Sequence, residues 1–143
     1  MKKRLLALCM AACTAFLLCS CGPVEGNPLP DGMDETTVLE AGEQIVTELN
    51  AGDWQAVYDQ LRDDAKTATG SPDAIRDHMN AVLKKVGAFK SIEEAMATGQ
   101  KLKDTGEEYA TAVFYCEHEK NQAMYRIAFS TDMELIGLQI TEQ

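Results

Sequence analysis

The chain has 143 residues, 45 % hydrophobic, 25 % charged and 6 % aromatic, with only 4 Pro and 10 Gly, a composition that fits one ordinary globular domain and excludes two full-sized domains or a fibre. All 23 acidic residues lie after position 21, whereas Lys2, Lys3 and Arg4 precede it, so the net charge of -10 becomes −13 once those three cations are set aside. So acidic a surface disfavours a nucleic-acid partner, because a phosphate backbone is held by a basic face.

At the start of the chain, Met1-Lys2-Lys3-Arg4 is a basic region. Residues 5–18 (LLALCMAACTAFLL) follow as an apolar stretch ended by small residues, the pattern of a secretory signal. A bilayer-spanning helix needs about 20 apolar residues, so this stretch is short for a permanent span. Its end, Leu18-Cys19-Ser20-Cys21-Gly22, resembles the lipobox of bacterial lipoproteins, with Cys19 at the variable position. That resemblance implies cleavage after residue 20, diacylglycerol on the Cys21 thiol, palmitate-type acyl chains in the membrane, and a place on the extracytoplasmic face of a bacterial cell. Cys9, Cys13 and Cys19 would leave with residues 1–20, and Cys21 would carry lipid. Of the 5 cysteines only Cys116 then remains as a thiol, so no internal disulfide is expected. A lone strand cysteine reads as a small buried hydrophobe.

Residues 21–35 follow as the lipidated cysteine and a tether rich in Gly, Pro and acids (GPVEGNPLPDGMDE after Cys21), with no apolar periodicity. As a flexible coil it would reach about 45 Å when stretched, holding a domain of residues 36–143 near the membrane without laying it there. The acidic excess reads as solubility charge that also repels anionic headgroups.

Within the domain, Thr37 and Glu40 fit a capping box, and Val38, Ile45, Val46 and Leu49 give a first helix running to Asn50 with Gly52 as its stop. Asp53 caps a second helix with Trp54, Val57, Tyr58 and Leu61 on its apolar side. Ser71-Pro72 opens a third, carrying Ile75, Met79, Val82, Leu83 and Val86 up to Gly87. Residues 109–117 and 123–129 are rich in aromatic and β-branched residues and read as a hairpin, followed by a strand over 135–140. Residues 88–103 are the ambiguous stretch, since Glu93-Glu94-Ala95-Met96-Ala97 favours helix by composition.

Three helices followed by mostly antiparallel strands predict an α+β domain. The helix break Asn50-Ala51-Gly52-Asp53-Trp54, the junction Val86-Gly87-Ala88-Phe89-Lys90-Ser91-Ile92 and the ending from Phe129 to Ile140 are similar to the nuclear transport factor 2-like superfamily, and most to a branch of bacterial exported proteins. The resemblance implies that residues 88–103 form a long first strand, and that a curved four-stranded sheet wraps the three helices around a cone-shaped cavity. It also suggests homodimers across the sheet.

In enzymes similar to that superfamily a His or acid in the cone acts as proton-transfer base, with a Tyr as oxyanion partner. His78, on the edge of the third helix, is the candidate base, with Tyr58 or Tyr125 as partner. An exposed surface histidine is the plainer reading. Trp54, Tyr58, Tyr115 and Tyr125 could instead wall a small-ligand pocket with His78, or simply pack as core. Glu117-His118-Glu119 suggests metal ligands, but strand alternation sends the imidazole to the face opposite the two carboxylates. Arg126 reads as solvated or paired across strands. Neither a catalytic set, a metal nor a cofactor is expected. The sequence therefore favours a lipid-anchored, non-catalytic module that binds a small ligand or a protein. A proton-transfer enzyme, or an accessory or immunity factor for another envelope protein, stands as the alternative.

Overall fold

The computed structural model describes residues 26–143, so the expected signal and the Cys21 lipidation site lie outside the described residues. Among those described, four helices precede four strands: α1 Glu35–Ala51, α2 Trp54–Gln60, α3 Asp63–Thr69, α4 Pro72–Val86, β1 Phe89–Lys101, β2 Glu108–His118, β3 Gln122–Ser130 and β4 Leu135–Glu142. The strands form one antiparallel sheet in the order β1-β2-β3-β4. No helix among the described residues is long and apolar enough to cross a membrane.

The helix count is four rather than the expected three. The extra element, α3, has no buried residue and so carries no apolar stripe for periodicity to reveal. What marks it is charge, since Asp63 and Asp64 occupy its positive first turn. Helix α1 also starts earlier than expected, because the Asp34 carboxylate, not the Thr37 hydroxyl, is the cap, accepting from the Thr37 backbone N–H and hydroxyl. Helix α2 stops before Leu61, a buried residue whose extended backbone bridges Leu135, and the Arg62 N–H donates to the Leu135 carbonyl at 2.8 Å.

Residues 89–101 are strand, against their helical composition. All but Lys90 and Glu93, which fall at two register shifts, gain a partner along β2, from Phe89 opposite His118 to Lys101 opposite Glu108. Ile92 and Ala97 pack on the core, which an isolated helix there could not reach. Tertiary pairing outweighs a propensity worth a few tenths of a kcal/mol per residue.

Val38, Ile45, Val46 and Leu49 of α1 lie on Ala110, Ala112, Phe114 and Cys116 of β2 and on Tyr125, Ile127 and Phe129 of β3. Gly42 sets that approach. A Cβ there would stand 2.7 Å from the Phe114 ring and 2.8 Å from Ala112 Cβ, so only glycine lets the helix sit this close. The space between helices and sheet is thus filled by side chains. The thiol of Cys116 is free and buried within it, and burial pushes its pKa up to about 12, helped by the charge of Glu93.

The tether enters the domain sooner than its composition suggests. From Asn27 onward it lies along the free edge of β1. The Asn27 N–H donates to Thr98 Oγ1 at 3.0 Å, and the Gly99 N–H donates to the Asn27 carbonyl at 3.1 Å. Leu29 and Met33 pack on the core.

Candidate functional site

Two helix ends and the start of a strand meet at one end of the sheet. Helix α1 brings Leu49 and Asn50, α2 opens with Trp54, α4 contributes Asn80 and Leu83, and Gly87 leads into Phe89. Between them is a cleft of about 600 Å³, within the range of small-ligand sites.

Beneath it runs a chain of buried polar groups. His118 Nδ1 lies 2.9 Å from the Gly87 carbonyl, His118 Nε2 lies 3.0 Å from the Tyr125 hydroxyl, and that hydroxyl lies 2.9 Å from Asn50 Nδ2. A carbonyl only accepts, so Nδ1 must carry the proton. In the neutral ring Nε2 is then an acceptor. The Tyr125 hydroxyl therefore donates to His118 and accepts from the Asn50 amide, whose nitrogen also donates to the Val46 carbonyl at 2.9 Å. Every donor along the chain points the same way, from Asn50 through Tyr125 and His118 to the Gly87 carbonyl. Phe89 closes the histidine from outside, edge-on at 5.6 Å, while the Tyr125 ring stacks 6.0 Å away on the other side. Burial pushes the Tyr125 phenol up to about 12, against the opposing effect of the Asn50 hydrogen bond.

Hydrogen bonds to Tyr125 and to the Val46 carbonyl fix the Asn50 side chain, presenting a polar group of set orientation in a cleft that also carries Asn80 and Lys84. Such a group can orient a bound molecule without reorganising. His118 is 2 % exposed while Glu117 and Glu119 face solvent, as alternation requires. Among the described residues no group of three His, Cys, Asp or Glu could hold a metal.

Of the residues singled out from sequence, Tyr125 is at the centre of this chain and Trp54 lines the cleft. The other three lie elsewhere. Tyr58 is half-buried on α2 with its hydroxyl toward the Gly70 carbonyl at 3.5 Å. Tyr115 sits on the sheet face away from the helices, opposite Glu94 and Met124. His78 is exposed beside a separate cleft of about 330 Å³ walled by Leu61, Ile75, Met79 and Ile136. The four aromatics form no common wall. Asn50, Phe89 and His118 were not recognised as site residues from sequence, although Asn50 and Phe89 fall in the two junction motifs that carry the resemblance.

Residues 42–138 match the family described as protein of unknown function (DUF3887). The chain belongs to that family. The DUF3887 match runs from Gly42 on α1 to Leu138 on β4 and so contains the whole Asn50–Tyr125–His118 chain. The fold is shared by a solved structure, an NMR structure of a protein from Ruminococcus gnavus ATCC 29149. That protein is 21 % identical with a TM-score of 0.65, over 79 % of this chain and 96 % of that one. No curated protein matches.

Proposed function

We propose that this DUF3887 chain is a lipid-anchored protein of the extracytoplasmic membrane face, with a nuclear transport factor 2-like domain that binds a small, largely apolar molecule in the cleft beside Asn50. The supporting observation is the pairing of that cleft with an amide held by Tyr125 and Val46. The ligand lays an apolar body on Leu49, Trp54, Leu83 and Phe89 and donates a hydrogen bond to the Asn50 side-chain oxygen, whose contact with the Tyr125 hydroxyl is the long one at 3.3 Å.

The proton-transfer alternative required His78 to face its tyrosine partner. His78 is exposed by a different cleft, and Tyr125 is engaged with His118 and Asn50. A binding module is therefore the better reading.

Native mass spectrometry of the protein purified from membranes tests the binding. A retained small molecule is expected, and it is lost in Leu83→Glu and Asn50→Leu variants that keep the wild-type far-ultraviolet circular dichroism. Retention undiminished in both variants refutes the cleft. For the anchor, Cys21→Ala should release the protein from the membrane fraction. A protein equally membrane-bound after that change has no lipid at Cys21.

A further inference from the structure

The strap along β1 changes what the lipid anchor can do. Gly99 permits it, since a Cβ there would stand 2.9 Å from the carbonyl carbon of Pro28, with the Pro28 oxygen closer still. A Cβ built at Gly26 would stand 3.8 Å from the Met96 methyl, an ordinary contact. The two backbone-directed hydrogen bonds at Asn27, together with Leu29 and Met33 in the core, make residues 27–33 part of the domain. Only residues 22–26 then separate Cys21 from the docked chain. Fully stretched, they let Asn27 stand roughly 20 Å from the lipidated residue, less than half the reach of a free tether.

Three residues beyond the docking point of Gly99 is Leu102, 39 % exposed, between Lys101 and Lys103 at the end of β1. The only other exposed large hydrophobic among the described residues is Phe89, at the opposite end of this 13-residue strand by the ligand cleft, about 40 Å away. An apolar tip flanked by lysines suits a headgroup layer, where the leucine enters and the ammonium groups stay at phosphate level. Lys101 is paired with Glu108 at 3.7 Å, and Asp31, Asp104 and Glu107 share this side, so charge alone does not hold the turn there; the short tether does.

We propose that the bilayer carrying the Cys21 lipid also touches the domain, through Leu102 and its flanking lysines beside the strap, and that the Asn50 cleft faces away from it. The orientation rests on the lipid anchor proposed above, and the two can fail separately.

The full-length lipidated protein is placed in vesicles of phosphatidylcholine and phosphatidylglycerol with brominated acyl chains, in a Trp54→Phe background. Leu102→Trp reports the contact, and Lys120→Trp, in the turn at the cleft end, serves as the control. Roughly twofold quenching at 102 with none at 120 is expected. It should fall away when ten Gly/Ser residues are inserted after Gly22, ahead of the described residues. Vesicle-bound protein without quenching at 102, equal quenching at both positions, or quenching unchanged by the insertion overturns the orientation and leaves the anchor standing. Vesicle binding unchanged by Cys21→Ala overturns the anchor and the orientation with it.

Discussion

Where β1 begins, a set of neutral polar groups is buried; where it stops, a charged set is only half exposed. At the first end His118, Tyr125 and Asn50 form a one-way hydrogen-bond chain under the cleft. At the other, Arg62 grips Asp64 at 2.7 Å and Glu107 at 2.5 Å, with side chains 24 %, 64 % and 31 % exposed. The contrast follows from solvation. A neutral chain can enter the dry interior if every lone pair and proton is used, whereas ions stay where water still reaches them. The buried arrangement contributes more, because removing one member strands its neighbours out of reach of solvent.

Substitution at Tyr125 should therefore give the largest effect. Tyr125→Ala empties a fully buried site and is expected to destabilise by about 3–5 kcal/mol in urea titration. Tyr125→Phe keeps the ring, yet leaves His118 Nε2 and the Asn50 amide without their partner, for about 1–3 kcal/mol. A Tyr125→Phe protein as stable as wild type would mean that the buried chain contributes nothing, and the contrast between the ends would fail.

Alkaline pH should attack the same end. Folding raises the Tyr125 phenol from 10.0 to about 12 and the Cys116 thiol from 9.0 to about 12. A raised pKa means that the stabilisation is complete below the unfolded value and is lost as pH climbs through the folded one. Stability should thus fall between about pH 9 and 12, by on the order of 3 kcal/mol for the tyrosine. Tyr125→Phe should remove the part of that slope above pH 10, and Cys116→Ala the part that begins near 9. Slopes unchanged in both variants would show that other groups carry the alkaline limb.

The sequence made the two ends unequally legible. Helices α1 and α4 follow from apolar stripes and caps, and β2 to β4 from aromatic and β-branched runs, because their burial writes a period into the chain. Helix α3 buries nothing, and so left only its acidic first turn and Gly70 as marks. At the cleft end Tyr125 was visible as a strand aromatic. Its partners were not, since Asn50 lies 75 positions away and the Gly87 carbonyl is backbone, which no side-chain pattern records. His118 was correctly placed opposite Glu117 and Glu119, but only the fold shows what that face meets. The strap was hidden for a related reason: its Pro and Gly content reads as linker, and the bond that docks it uses the backbone of Gly99.

The charged end offers the smallest effect and the sharpest check on independence. Glu107→Gln should destabilise by about 0.5 kcal/mol, as expected of a partly solvated pair. The Arg62 guanidinium beside Asp64 holds that carboxyl down at about 2. A depressed carboxylate contributes stability above its ordinary value of 3.8 that is lost as pH falls through the folded one. Arg62→Gln should therefore flatten the acid limb between about pH 4 and 2 and leave the alkaline limb untouched, the reverse of Tyr125→Phe. Tyr125 pairs with Phe114, seven residues along the sheet from Glu107 and so roughly 20 Å away, and the two effects should add in the double variant to within about 0.5 kcal/mol. A larger coupling would mean that the sheet transmits strain along its strands, and that the cleft beside Asn50 responds to charges at the turn between β1 and β2.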